Sequence, residues 1–217
     1  MVSGASRPDE SELERAARQA GVRTPRVLAA LREVRREWFV PLDVAARARS
    51  DCPLPIPHGQ VTTQPSLVAM MVEALELGGT ERVLEIGTGY GYQTAILARL
   101  VREVWSVERF ADIAEAARIN LVEKGMGNAH VVVGDGTEGL PGHAPYDGIV
   151  VSAAFYEVPP ALVDQLAPGG RLVQPMGLGG NEQVMAFRKT ADGLGPPRLV
   201  THASFVRLVG RHGFSQG

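Results

Sequence analysis

The stretch Val83-Leu-Glu-Ile-Gly87-Thr-Gly89-Tyr-Gly91-Tyr-Gln93 decides the fold. Its apolar, partly β-branched start reads as the end of a short buried strand, and the glycines that follow lead into a helical pattern beginning at Tyr92. At a strand-to-helix turn, glycine lets the backbone bend tightly and approach a ligand with no Cβ in the way. The ligand then faces the positive end of the helix. Strand, glycine turn and helix in that order open a nucleotide-binding β-α-β unit.

Outward from this turn, candidate strands fall at 82–86, 103–107, 130–133, 148–151, 171–174, 183–187 and 201–208, and helical patterns at 92–100, 111–124 and 159–166. This alternation predicts an α/β fold, a Rossmann-like doubly wound sheet of seven mostly parallel strands. No helical pattern separates the last two strands, which are therefore expected to pair antiparallel around Ala191-Asp-Gly-Leu-Gly-Pro-Pro197. Before residue 80 the pattern is helical: a charged helix over 10–20 stopped by Gly21, and a second opened by Thr24 and Pro25, with Val27, Leu28, Leu31, Val34 and Trp38 on one stripe. A third is opened by Pro65 and stopped by Gly78-Gly79. Between the second and third, Pro41 and the proline-rich segment 52–58 predict a stiff, extended stretch without helix. Residues 1–78 are expected as a helical, substrate-side portion of the same domain as residues 79–217.

Of the 217 residues, 45% are apolar and 21% charged, enough for one folded domain with a sizeable core. Twenty-two basic against 24 acidic residues leave a net charge of −2, so no whole-chain field gathers nucleic acid or an anionic membrane. Cys52 is the single cysteine, which excludes an internal disulfide and any Cys-x-x-Cys metal or redox site. The first residues lack a charged start followed by an apolar run, and no 18-residue apolar stretch occurs. A cytoplasmic monomer is expected, without metal, nucleic-acid or membrane partner.

Glycine spacing separates two cofactor classes. A dinucleotide turn reads Gly-x-Gly-x-x-Gly so that a pyrophosphate can lie across it, whereas here the spacing is Gly-x-Gly-x-Gly behind an acid, Glu85. A carboxylate repels a pyrophosphate. It suits a ligand with an ammonium group, such as the methionine end of S-adenosylmethionine. Glu108, at the end of the second strand, is placed to accept both hydroxyls of a ribose. Gly134-Asp-Gly136 follows the third strand, where Asp135 can accept from an adenine amine. A nicotinamide-linked oxidoreductase is the alternative from another class, and a non-catalytic protein that keeps the crevice is a third.

Taken together, the chain resembles the protein-L-isoaspartate O-methyltransferase family from about Val34 to Val209. The carrying residues are Trp38-Phe-Val-Pro41, Pro53-Leu-Pro-Ile-Pro-His-Gly-Gln60, Thr62-Thr63 with Gln64-Pro65, the turn 83–93, Gly134-Asp-Gly136, Ala144-Pro-Tyr-Asp147 and Pro168-Gly-Gly170. The resemblance implies a class I methyltransferase that moves a methyl group from S-adenosylmethionine to the free carboxylate of L-isoaspartyl residues in damaged proteins or peptides. S-adenosylhomocysteine is released, and repair starts through a succinimide. In that family the segment ahead of the third helix usually reads Gly-Gln-Thr-Ile-Ser-Gln-Pro, with the serine credited with catalysis. Here Thr63 stands at the serine position and Val61 at the first threonine.

On this resemblance Thr63 is the expected catalytic residue. Thr62, Gln64, Glu85, Gly87, Thr88, Gly89, Gly91, Glu108, Arg109, Asp135 and Gly136 are expected around the cofactor. His58, Gln60, Val61, Thr62, Phe205 and Val206 are expected around the peptide. The replacements at Val61 and Thr63 leave open a relative that modifies one dedicated peptide, such as a ribosomally made natural product.

Blander readings stand beside these. Glu85 could cap the next helix or meet Arg82, Glu108 could pair with Arg109 or Arg102, Asp135 could only form a turn, and Thr63 could cap the helix after Pro65. Cys52 reads as a small buried hydrophobe, Arg32, Arg35 and Arg36 as a solvated face, and Phe155-Tyr156 as a peptide-facing wall. The strand end Ser152-Ala-Ala154 lacks the Asn/Asp-Pro-Pro-aromatic segment with which amine methyltransferases hold a flipped base.

Overall fold

The computed structural model describes residues 11–178 and 180–215. The chain opens with helices α1 (Glu12–Gln19) and α2 (Pro25–Glu33), two 3-10 turns (Arg36–Phe39 and Leu42–Arg47), strands β1 (Leu54–Ile56) and β2 (Gln60–Thr62), and helix α3 (Pro65–Ala74). The sheet portion then runs β3 (Arg82–Ile86), α4 (Tyr92–Ala98), β4 (Glu103–Glu108), α5 (Ala111–Glu123), β5 (Ala129–Val133) and β6 (Tyr146–Val151). It closes with α6 (Pro160–Gln165), β7 (Leu166–Met176), β8 (Glu182–Thr190), the two-residue β9 (Gly193–Leu194) and β10 (Arg198–Ala203).

The main sheet has the order β10-β8-β7-β6-β3-β4-β5, with β9 beside β8. Strands β3 to β7 pair in parallel, and β8 runs antiparallel to both β7 and β10. The doubly wound, seven-stranded sheet and its antiparallel C-terminal pair are therefore as the sequence predicts. The chain builds β3, β4 and β5 outward, then returns to lay β6 on the other side of β3. Ligands of such sheets bind outside the strand ends at this reversal.

Helices cover both faces, so β3 is buried from Val83 to Ile86 and its sequence does not alternate. One apolar cluster joins Leu28 and Leu31 of α2, Met71 of α3 and Ile96 of α4 to Val83, Val104 and Val150 of the sheet. The opposite face packs Leu84, Ile149, Leu162 and Leu172. The N-terminal helices thus share a core with the sheet.

Several stretches depart from the sequence expectation. Residues 42–47 form a 3-10 turn although Pro41 precedes them, because proline lacks only a donor and its carbonyl still accepts from Val44 N at 3.2 Å. The proline-rich segment is one arm of a hairpin, not a lone extended arm: Leu54 pairs with Thr62 and Ile56 with Gln60. Its tight turn places His58 and Gly59 in the left-handed region, at φ 60° and 66°. Helix α2 ends at Glu33 and leaves Trp38 in the next 3-10 turn, while α3 ends at Ala74, ahead of Gly78, with Glu76 left-handed just beyond.

The last strand is Arg198–Ala203, not 201–208. Buried Glu182 accepts from Phe205 N at 2.8 Å and draws the chain off the sheet edge. Residues 206–208 then clasp the end of β6: Ala154 N donates to Val206 O at 2.7 Å, and Leu208 N to Ala154 O at 2.8 Å. This detour carries Val206 to Val209 across the strand ends.

Gly91 is left-handed at φ 94° at the start of α4, and a Cβ there would lie 3.3 Å from Leu121 Cγ and 3.5 Å from Phe39 Cδ1. Gly91→Ala is expected to cost about 1–3 kcal/mol of stability through backbone strain and contact together. Urea denaturation reads this as a lowered midpoint at unchanged slope; an unmoved midpoint contradicts the packing described.

Candidate active site

A single crevice opens at the reversal point. Its floor is the turn after β3 and the end of β4, one wall is the β1–β2 hairpin from Ile56 to Thr63, and another is the C-terminal segment Val206–Val209. Val68, Tyr92, Gln93, Gly136, Ser152 and Ala153 also line the crevice. Among the described residues no group of three His, Cys, Asp or Glu stands together as a metal would require, and no helix is long and apolar enough to cross a membrane.

The glycine turn lies where the sequence places it. Gly87 and Gly89 are left-handed at φ 94° and 54°, and both line the crevice with Thr88, whose hydroxyl is 2.6 Å from Ser106 Oγ. Gly91 stays behind them as the cap of α4. Glu108, almost wholly buried, reaches back from the end of β4 to accept from Gly89 N at 3.0 Å and Phe110 N at 3.1 Å. It lines the crevice and pairs with neither Arg109 nor Arg102. Arg109 also lines the crevice, its guanidinium 4.9 Å over the Phe110 ring.

Two acids read as ligand-facing are turned elsewhere. Glu85 is fully buried under the glycine turn and accepts from Gln93 Nε2 at 3.0 Å, Thr94 Oγ1 at 2.5 Å and Ser106 Oγ at 2.6 Å. Burial pushes its pKa up to about 7, opposed by those three hydrogen bonds and assisted by the Glu108 charge. Arg82 is not its partner but pairs with Glu103 at 2.7 Å. Glu85 braces the floor and does not line the crevice. Asp135 accepts from Thr137 N and Oγ1 at 2.9 and 2.7 Å through Oδ1 and from Arg211 N at 2.7 Å through Oδ2, so one oxygen closes its own turn and the other holds the C-terminal segment. Partial burial works against its ionised form, but these hydrogen bonds outweigh it and keep the carboxyl below its ordinary range. Of that pair only Gly136 lines the crevice.

On the hairpin wall, Thr62 and Thr63 both line the crevice. Thr62 is buried and its hydroxyl accepts from Arg36 Nη2 at 2.7 Å; the same nitrogen donates to Thr63 O at 3.2 Å, and Nη1 to Ser50 O at 3.0 Å. Arg36 is therefore not on a solvated face: 1% of it is exposed, whereas its neighbour Arg35 points outward to Glu37. Desolvation lowers its pKa, and the nearby Tyr92, Cys52 and Asp51 oppose that effect. Among the described residues the Thr63 hydroxyl has no hydrogen-bond partner, so it does not cap α3; Asp51 serves that end by accepting from Ser66 N at 2.8 Å. Gln64 donates to Asp51 Oδ2 and Ser66 Oγ at 2.8 and 2.9 Å and stands outside the lining.

Of the residues expected on the peptide side, Gln60, Val61 and Val206 line the crevice, and Val61 is exposed. His58 instead stacks on Phe110 with centroids 4.2 Å apart, its Nε2 2.9 Å from Asp112, tying the hairpin tip to the start of α5. Phe205 packs against the core. Phe155 and Tyr156 cluster with Phe214 and are not in the lining. Cys52 joins a small apolar cluster around Leu54, as a small hydrophobe would. The sequence reading missed Ile56, Gln93, Ser152 and Arg207 on the lining, and Arg36 behind it. Only Ile56 carried a signal, since it alternates with Leu54 as an inward residue of a strand.

A glycine turn at the reversal of a doubly wound sheet that ends in two antiparallel strands, under a hairpin wall, defines a class I methyltransferase. The family model described as Protein-L-isoaspartate(D-aspartate) O-methyltransferase matches residues 8–213. The chain belongs to that family. It is 51% identical over 191 residues to the protein-L-isoaspartate O-methyltransferase of Anaeromyxobacter dehalogenans, covering 87% of this chain and 91% of that one. With the protein of the same name from Methanoculleus marisnigri it shares 47% identity, covering 96% and 94%. A solved protein-L-isoaspartate O-methyltransferase structure superposes with a TM-score of 0.81 at 32% identity over 93% of this chain and 66% of that longer one. The reaction is methyl transfer from S-adenosylmethionine to isoaspartyl carboxylates, and the nicotinamide alternative falls with it.

Because the Glu85 pKa is raised on folding, the folded state holds a proton that the unfolded chain releases above about pH 4.5. Its stabilising contribution is complete below that value and is lost as the pH rises through about 7. Glu85→Gln is expected to flatten the fall in melting temperature between pH 5 and pH 8, by an amount on the order of 2 kcal/mol in stability. Parallel melting curves for the two proteins across that range would exclude a protonated Glu85.

Proposed function

We propose that Thr63 is the catalytic hydroxyl of isoaspartyl methylation, donating to one oxygen of the substrate carboxylate and aiming the other at the methyl group. The observation that carries this reading is an unpartnered hydroxyl on the hairpin wall of the crevice whose floor is the glycine turn. A carboxylate with an ordinary pKa near 4 is ionised at neutral pH, so the reaction needs no general base. Catalysis then consists of holding oxygen, methyl and sulfur in line and keeping water from solvating charges that cancel as the bond forms. The ester cyclises to a succinimide without further help and reopens in part as normal aspartate.

On the cofactor side, Glu108 takes the ribose hydroxyls while Gly87, Thr88 and Gly89 carry the backbone past the methionine portion, with Arg109 at the rim. Gly136 faces the adenine. Glu85 serves the ammonium end through Gln93, which it orients and whose Oε1 is buried without a partner among the described residues. Gln60, Val61 and Val206 flank the peptide. Residues 1–78 and 79–217 act as one domain, which their shared core supports. A monomer suffices, since one chain supplies every wall, and the net charge of −2 favours no nucleic-acid partner. A cytoplasmic site of action fits the lone cysteine.

Thr63→Val is expected to lower kcat with an isoaspartyl peptide about 10- to 100-fold, with Thr63→Ser close to the parent and S-adenosylhomocysteine affinity within twofold by calorimetry. A silent Thr63→Val removes the assignment. Glu108→Ala is expected to weaken S-adenosylhomocysteine at least about tenfold, as loss of a charged acceptor does; unchanged binding places the ribose elsewhere.

A further inference from the structure

We infer that Arg36 is a positioning residue whose buried guanidinium sets the Thr62–Thr63 bend and holds a positive charge behind it for the substrate carboxylate. One nitrogen, Nη2, grips two consecutive residues, Thr62 through its hydroxyl and Thr63 through its carbonyl. Rotation of the peptide between them is thereby restrained, and with it the direction of the Thr63 side chain.

The charge itself is unusual. Guanidinium stays protonated in proteins, and burying it is costly unless a carboxylate answers it. Here its hydrogen bonds go to three neutral oxygens, on Ser50, Thr62 and Thr63, and it lies 5.8 Å from the Tyr92 ring centroid. Its Nε is buried with no partner among the described residues, and so is the hydroxyl of Tyr92, which itself lines the crevice. Asp51 acts on the guanidinium only through its charge at a distance, with no hydrogen bond between them, because its oxygens accept from Gln64 and Ser66. By contrast Arg18, Arg35, Arg82 and Arg171 each have a carboxylate. A second anion, on the crevice side, is supplied when an isoaspartyl carboxylate enters one residue away. Its neutral methyl ester then takes that anion away again, which favours product release.

This inference rests on Thr63 being on the substrate side, and separate variants keep the two apart. Charge acts on substrate binding and the two-residue grip on turnover. Arg36→Met is therefore expected to raise KM for an isoaspartyl peptide at least tenfold with S-adenosylhomocysteine affinity within twofold. Arg36→Lys, which keeps the charge and loses the double grip, should restore KM to within about threefold while kcat stays low. Thr62→Val, which keeps the cation and removes one acceptor, should lower kcat at near-parent KM. Arg36→Lys no better than Arg36→Met, or a rise in peptide KM matched by an equal loss of cofactor affinity, overturns the inference. If Arg36→Met does not fold, Arg36→Lys and Thr62→Val decide: parent kcat in both overturns it. A silent Thr63→Val beside these shifts removes only the assignment to Thr63.

Discussion

The hydrogen bonds from Gly89 N and Phe110 N to Glu108 are what the crevice depends on. They join the ends of two parallel strands, β3 and β4, through one carboxylate, and they do so only because the turn after β3 adopts left-handed conformations that bring its amides inward. The hairpin rests on the same turn: a Cβ at Gly89 would stand 3.7 Å from the Ile56 side chain. Floor and wall therefore share a contact. Movement of the turn would displace the residues above it.

The carboxyls beneath this floor have all their oxygens engaged, in contrast to the guanidinium behind the hairpin wall. Glu85 has three donors for its two oxygens, and Asp135 has three for its own. Carboxyls satisfied in this way, one buried and one partly buried, rigidify their surroundings. Arg36 and Tyr92, at the wall, keep unanswered atoms. Gln93 Oε1 is unanswered on the cofactor side as well, so the unfinished hydrogen bonds stand where ligands enter, above a floor held rigid by its carboxyls.

Much of this was legible because the signals were local. Strand and helix periods, the glycine spacing and the position of Glu108 at a strand end follow from neighbours along the chain, and the structure keeps them. Side-chain direction does not. In a strand covered on both faces, Glu85 could point to the crevice or beneath it, and only its contacts with Thr94 and Ser106 settle which. Arg35 and Arg36 are adjacent and identical in type, but a 3-10 turn sends one to solvent and the other inward. The last strand stops at Ala203, five residues short of the end read from the sequence, because Glu182, far back in sequence, ends the pairing, and the direction of Asp135 was hidden because its partners lie at Thr137 and Arg211. The hairpin was hidden by prolines that favour extended backbone without saying what pairs with it.

The detour of the chain after Ala203 has a kinetic meaning. Val206 to Val209 meet Thr62 and Thr63 from the far side of the sequence, so the binding surface is among the most non-local features of the molecule and closes late as the polypeptide collapses. Donor occupancy thus reports on completed tertiary order, and a saturating ligand would in turn hold both ends of the polypeptide together against partial opening.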